Sequence, residues 1–198
     1  MTAPLPKKCV FYYTAPAKFL HHHPMQDLLQ LLRKIVAANP QQAFFDVPAQ
    51  PEEIDALETA IGLPLPKSYR QFLETFNGGF INITRLNPGE QLWNLKTARW
   101  NSNDLLGAQA IQKEYYRMAE FARDVFGVEG KWEFIPFCKT SGQEHLVFGP
   151  ATAPEDSPVL SAFHECPPEE WSVLYPNFQE FFRAYLGGDG KLRTIAGI

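Results

Sequence analysis

From Met25 onward, apolar side chains recur with helical spacing: Leu28, Leu32, Ile35 and Val36 fall on one stripe, and Asn39-Pro40 ends it. A second helix is predicted after Pro51, with Ile54, Leu57 and Ile61 on its inner face. Proline is tolerated in a first helical turn, where its missing N–H has no intrahelical partner to lose. Glu52, Glu53 and Asp55 favour the positive end of that helix, and Gly62 supplies a left-handed terminus. A third helix starts at Pro66 and carries Tyr69, Phe72, Leu73 and Phe76, a stripe broad enough to require a covering surface. Asn77-Gly78-Gly79 ends it and turns the chain.

Beyond that turn the period changes. Residues 80–84, Phe-Ile-Asn-Ile-Thr, alternate as a strand, and residues 91–97 read as another. One long helix is predicted from Asp104 to Phe126, because Ile111, Tyr115, Met118, Ala122 and Val125 share a face. Strands follow over residues 133–139 and 144–148, with a turn between them, and then over 158–164. The closing helix has Asn177 as its cap, Glu180 in capping-box position, Phe178, Phe181, Phe182 and Tyr185 along one side, and Gly187-Gly188 at its end. Helices first, strands in the middle and a final helix imply an α+β fold, an antiparallel sheet flanked by helices. The expected organisation is an N-terminal arm and helix over residues 1–50 and one α+β domain over 51–190. Within the arm, residues 9–13 form a short strand or a packed extension.

Composition narrows the function classes. The 198 residues are 45% apolar and 20% charged, which suits one globular domain. The formal charge is −4 and basic residues are scattered, with Lys7-Lys8 the longest run. Nucleic-acid binders concentrate lysine and arginine against phosphates, so no nucleic-acid partner is expected. No stretch resembles a secretion signal or reaches membrane-spanning length, so the expected location is cytoplasmic, with no membrane contact. Cys9, Cys138 and Cys166 are odd in number and widely separated, and reduced thiols are the simplest reading.

The segment from Pro51 to Gly79 reads Glu53-Ile54, Leu57-Glu58, Ile61-Gly62, Leu65-Pro66, Tyr69, Phe72-Leu73 and Asn77-Gly78-Gly79. In this order the residues resemble the N-terminal signature of the SUKH superfamily, also called the Smi/Knr type. Residues 134–137, Phe-Ile-Pro-Phe, followed by Gly142, resemble its central hairpin, and the run from Asn177 to Phe182 resembles its closing helix. The long helix around Ile111 looks like an insertion. The resemblance implies an α+β scaffold that binds proteins and needs no cofactor: in bacteria an immunity protein that neutralises a cognate toxin by contact, in fungi an adaptor or regulatory hub.

Candidate chemistry is sparse. His21-His22-His23 are adjacent and their side chains diverge, whereas a metal site needs convergence, so no metal is expected. His164 with Cys138 and Cys166 could pair a nucleophile with a base, the one route to a hydrolase, but no third orienting group is evident. No catalytic residue is assigned and an enzyme is not expected. Trp93, Trp100 and Trp171 stand among polar residues in predicted loops, and tryptophan is enriched at interface hot spots. Glu165, Glu169 and Glu170 with Trp171 would form an acidic patch around an aromatic anchor, the candidate partner-binding surface; the ordinary alternative is that Trp171 closes the core.

Overall fold

The computed structural model describes residues 24–82, 99, 102–140, 142, 144–150, 157–188 and 190. The predicted strand at 91–97, the arm at 9–13 and the histidine run at 21–23 lie outside them, as do Trp93 and Trp100.

Helix α1 (Met25–Ala38) buries Met25, Leu28, Leu29 and Leu32, the stripe that the spacing predicts. Helix α2 (Pro51–Ile61) buries Ile54, Leu57 and Ile61 and ends at Gly62 with φ 66°. Its first turn is fastened by Glu53, whose carboxylate accepts from the Gln50 backbone N–H at 2.8 Å. Helix α3 (Lys67–Leu73) is shorter than the apolar stripe, because Glu74 already caps it. Phe76 lies beyond its end, half-buried against the core.

Among the described residues the sheet has seven strands, arranged in sequence order, each antiparallel to its neighbours. They are β1 (Ala43–Phe45), β2 (Gly79–Ile81), β3 (Asp104–Leu105), β4 (Ile135–Lys139), β5 (His145–Phe148), β6 (Val159–Ala162) and β7 (Ser172–Tyr175). Helix α4 (Ala108–Phe126) crosses between β3 and β4, and α5 (Phe178–Gly187) follows β7. Strands β1, β3 and β7 fall where the sequence pattern predicts none. Each is defined by backbone pairing with a distant segment, β1 with β2, β3 with β2 and β4, and β7 with β6, which no local period declares.

Asp104 and Leu105 therefore correct the predicted start of the long helix: they pair with Lys139 and Cys138 across β4. The helix begins only after Gly107, where Asn77 reaches over from the α3–β2 turn and its Oδ1 accepts from the Ala108 N–H at 2.8 Å. An orphan donor of the first turn is thus satisfied from a distant part of the chain.

The two faces of the sheet are covered differently. On one, Phe137 and Phe148 stack at 4.2 Å and meet Tyr69, Phe178 and Phe181 from α3 and α5. Tyr69 donates its hydroxyl to Leu106 O at 2.5 Å, joining α3 to the loop before α4. Tyr185 on α5 accepts from the Ile81 N–H at 3.0 Å, and burial pushes its phenol pKa up. On the other face, Val147, Leu160 and Ala162 form a smaller cluster beneath Met118 of α4, Phe134 and Trp171. Alternation along β5 sends Leu146 and Phe148 to the large core and His145 and Val147 toward this second face.

A candidate docking groove between helix four and the sheet

Helix α4 covers only part of the second face. Beside its C-terminal half a groove of about 230 Å³ remains. Its walls are Phe121 and Phe126 from α4, Trp132 from the following loop, and Trp171 from the turn before β7. Trp132, Phe134 and Trp171 pack edge to face or tilted, with ring centres 5.0–5.9 Å apart, so the aromatic wall is held by its own members. The Trp171 indole N–H donates to Cys166 O at 3.0 Å. The Trp132 indole N–H is buried and meets no acceptor among the described residues, although the backbone of Trp132 accepts from the Tyr115 hydroxyl at 2.7 Å.

Two carboxylate–imidazole pairs stand at the groove. His145 projects from β5, and its Nε2 lies 3.2 Å from Glu114 Oε2. The same carboxylate receives Arg117 at 2.7 Å and Lys139 at 3.2 Å. The Glu114 carboxyl is held well below the usual carboxylate range. The hydrogen bond with His145 is the largest cause, burial opposes it, and Arg117 and Lys139 add to the lowering. On the outer side, His164 Nδ1 meets Glu144 Oε1 at 2.6 Å, and the His164 backbone N–H donates to Glu144 Oε2 at 3.1 Å. In each pair the carboxylate lies within hydrogen-bond distance of a ring nitrogen and so orients its imidazole.

Of the residues expected to bind a partner, Trp171 lines this groove and is also half-buried against Phe134 and Trp132. Glu169 and Glu170 precede it in a 3₁₀ turn (Pro168–Glu170), the first exposed and the second half-buried. Glu165 follows His164 and is exposed. The structure thus sets the acidic residues in the segments that supply His164 and Trp171 to the groove.

His164, Cys138 and Cys166 take separate environments. His164 is exposed and paired with Glu144, while Cys138 is fully buried in the large core and its thiol is pushed up by that burial. Cys166 is disulfide-bonded, a correction to the expectation of reduced thiols throughout. Among the described residues no three His, Cys, Asp or Glu side chains are grouped to hold a metal ion. No helix among them is long and apolar enough to cross a membrane.

Sequence reasoning passes over Trp132, His145 and the Glu114 cluster. One signal was present: Glu114 is three residues after Ile111 and four before Met118, on the buried side of an amphipathic helix. A carboxylate there requires partners, and Arg117 on the next turn supplies one. Nothing local points to His145 or Lys139, which reach Glu114 only once β4 and β5 pair under the helix.

The architecture defines an α+β protein built on one antiparallel meander, with helices on both faces and an aromatic groove beside α4. The chain belongs to the SMI1/KNR4 family (SUKH-1), whose family model matches residues 48–184. No curated protein matches it. The match reaches past the signature segment through the central hairpin and most of α5, and it includes α4.

Proposed function

We propose that this chain is a non-enzymatic protein-binding protein, a bacterial immunity protein that neutralises a cognate toxin by covering it stoichiometrically. The observation that carries the reading is the outer surface of α4. Phe121, in the wall of the aromatic groove, is 42% exposed, and Val125, one helical turn later, is 57% exposed. Helix α4 buries Ile111, Tyr115 and Ala122 on its inner side, so folding alone does not call for large apolar residues on the outer side. Exposed apolar residues clustered beside a concave aromatic site mark a surface that another macromolecule covers. Family membership supports a protein as that macromolecule, and the net charge of −4 suits a basic partner. Occlusion of a toxin's active site needs no chemistry from this chain.

The test is co-expression with a toxin domain encoded beside this gene. Restored growth and a stable complex in size-exclusion chromatography are expected. Growth arrest unrelieved by this chain would remove the toxin reading, and co-elution with host regulatory proteins in its place would favour an adaptor. A cytosolic site of action is part of the proposal. The disulfide at Cys166 makes cell fractionation its check, because disulfides persist mainly in oxidising compartments.

A further inference from the structure

The groove beside α4 is the middle of a wider apolar surface. At about 230 Å³ it is smaller than pockets that enclose whole small ligands, which begin near roughly 300 Å³, so it takes in part of a larger body. On the α4 side, Phe121 stands in its wall and Val125 follows one turn later, both exposed. On the other side the strand register carries the surface outward. Val147 pairs with Leu160 and Leu160 with Val173, so the three share one face of β5, β6 and β7. Val147 is fully buried and Leu160 nearly so, whereas Val173 is 60% exposed, because the cover gives out at the last strand. Trp171 packs on this same cluster and lines the groove, which joins the groove to Val173.

Charge marks both banks of this trough. Glu120 adjoins Phe121, Glu133 adjoins Trp132, Glu165 adjoins His164 and Glu170 adjoins Trp171, with Glu169 one place further, so each lies beside a groove-lining residue. None of these carboxylates has an ion pair among the described residues. The basic residues of the same segments are already engaged. Arg117 and Lys139 hold Glu114 at 2.7 and 3.2 Å, Arg123 lies 3.6 Å from Asp124, and Lys131 donates to Gly62 O at 2.6 Å. An apolar trough between unpaired carboxylates attracts a cationic body and repels phosphate-bearing ones, which sets aside nucleic acids and anionic membranes.

A basic chain without apolar side chains leaves the trough open to water, and an apolar chain without charge leaves the banks unanswered. Lysine and arginine serve both, because their methylene stems lie along apolar surface while the charged ends reach carboxylates. We propose that the trough receives a segment of the protein partner with large apolar side chains at its centre and lysine or arginine on either side of them. The centre enters between Phe121 and Trp171 and covers Val173. The flanking cations meet Glu120 on the α4 side and Glu165, Glu169 and Glu170 on the other. This rests on the protein-binding reading above and specifies the chemistry of the contact that reading leaves open.

The experiment titrates the whole chain, ¹⁵N-labelled, with three synthetic peptides. They are Ac-Lys-Lys-Leu-Phe-Leu-Lys-Lys-NH₂, the same peptide with glutamate for every lysine, and the same peptide with serine for its leucines and phenylalanine. The first should move the Trp171 indole resonance saturably, assigned through Trp171→Phe, and should bind less tightly as salt rises. The other two should bind at least about tenfold more weakly, since each lacks one of the two features. Phe121→Ser and Val173→Ser change exposed side chains on opposite banks, and each should weaken binding about fivefold with the melting temperature held. Glu169→Lys should weaken it similarly, whereas Glu52→Lys, at an exposed position of α2, alters the net charge equally and should not. Equal binding of the glutamate or serine peptide, equal effects of Glu169→Lys and Glu52→Lys, or no saturable shift at Trp171 would each overturn the proposal. So would a dimer in sedimentation velocity that Phe121→Ser or Val173→Ser dissociates, because a second copy is then the occupant. The peptides contain no toxin sequence, so their failure leaves neutralisation standing and failed neutralisation leaves their binding standing.

Discussion

Gly79 shows how one position ties the family signature to the fold. Its φ is 138°, and a Cβ there would come within 2.3 Å of Phe44 O, because β1 and β2 meet at that point. Gly78 is similarly confined: its Cβ would fall 2.4 Å from the Gly107 backbone N. Both the backbone conformation and the space exclude a side chain. Gly79→Ala should cost more than about 2 kcal/mol, measured by urea unfolding, whereas Gly130→Ala, with nothing within 4 Å, should lose only the smaller cost of its positive φ. Asp104 makes a different residue-scale case. Burial raises its pKa to about 6, against the opposing pull of Arg99. Because the folded value exceeds the unfolded one, the native state binds the extra proton between about pH 4 and 6, and stability falls as pH rises through that window. Asp104→Asn should therefore raise the melting temperature at pH 7 and change it little at pH 4. A variant less stable at pH 7 would show that the Arg99 pairing outweighs burial.

At the scale of elements, the seam between α4 and the β4–β5 hairpin is polar, centred on Glu114. A carboxylate with a depressed pKa contributes stability above its unfolded value near pH 4.5, and that contribution is lost as pH falls through the folded value. Glu114→Gln should accordingly destabilise the fold at pH 7 by about 1–3 kcal/mol, and the gap from the parent should shrink in acid unfolding below pH 3. The helix stripes of α1, α2 and α5 were legible in advance because helical spacing is a local property and the apolar residues declare it. The short strands were not. β3 has two residues, and what makes it a strand is the pairing of Leu105 with Gly79 on one side and Cys138 on the other.

For the whole molecule, the charge next to the groove becomes testable. Glu165, Glu169 and Glu170 make no ion pair among the described residues, so they are available to a partner and contribute little to folding. Reversing Glu169 and Glu170 to lysine should weaken partner binding several-fold, with the larger effect at low salt, and leave the melting temperature within about 1 °C. Unchanged affinity in a titration with the purified partner would remove the acidic patch from the interface. The patch was legible in part, since Trp171 and its glutamates are neighbours in the chain. The wall opposite was not: Phe121, Phe126 and Trp132 come from a helix and loop some forty residues earlier.

Periodicity, caps and turn glycines already specify in the linear chain that this is an α+β protein, where its main helices run, and which signature it carries. Those are contacts over three or four residues, or backbone requirements of a single one. The meander's register, the Glu114 cluster and the aromatic groove arise only when distant segments are brought together. Their members are ordinary side chains until pairing of β4, β5 and β6 under α4 brings them together.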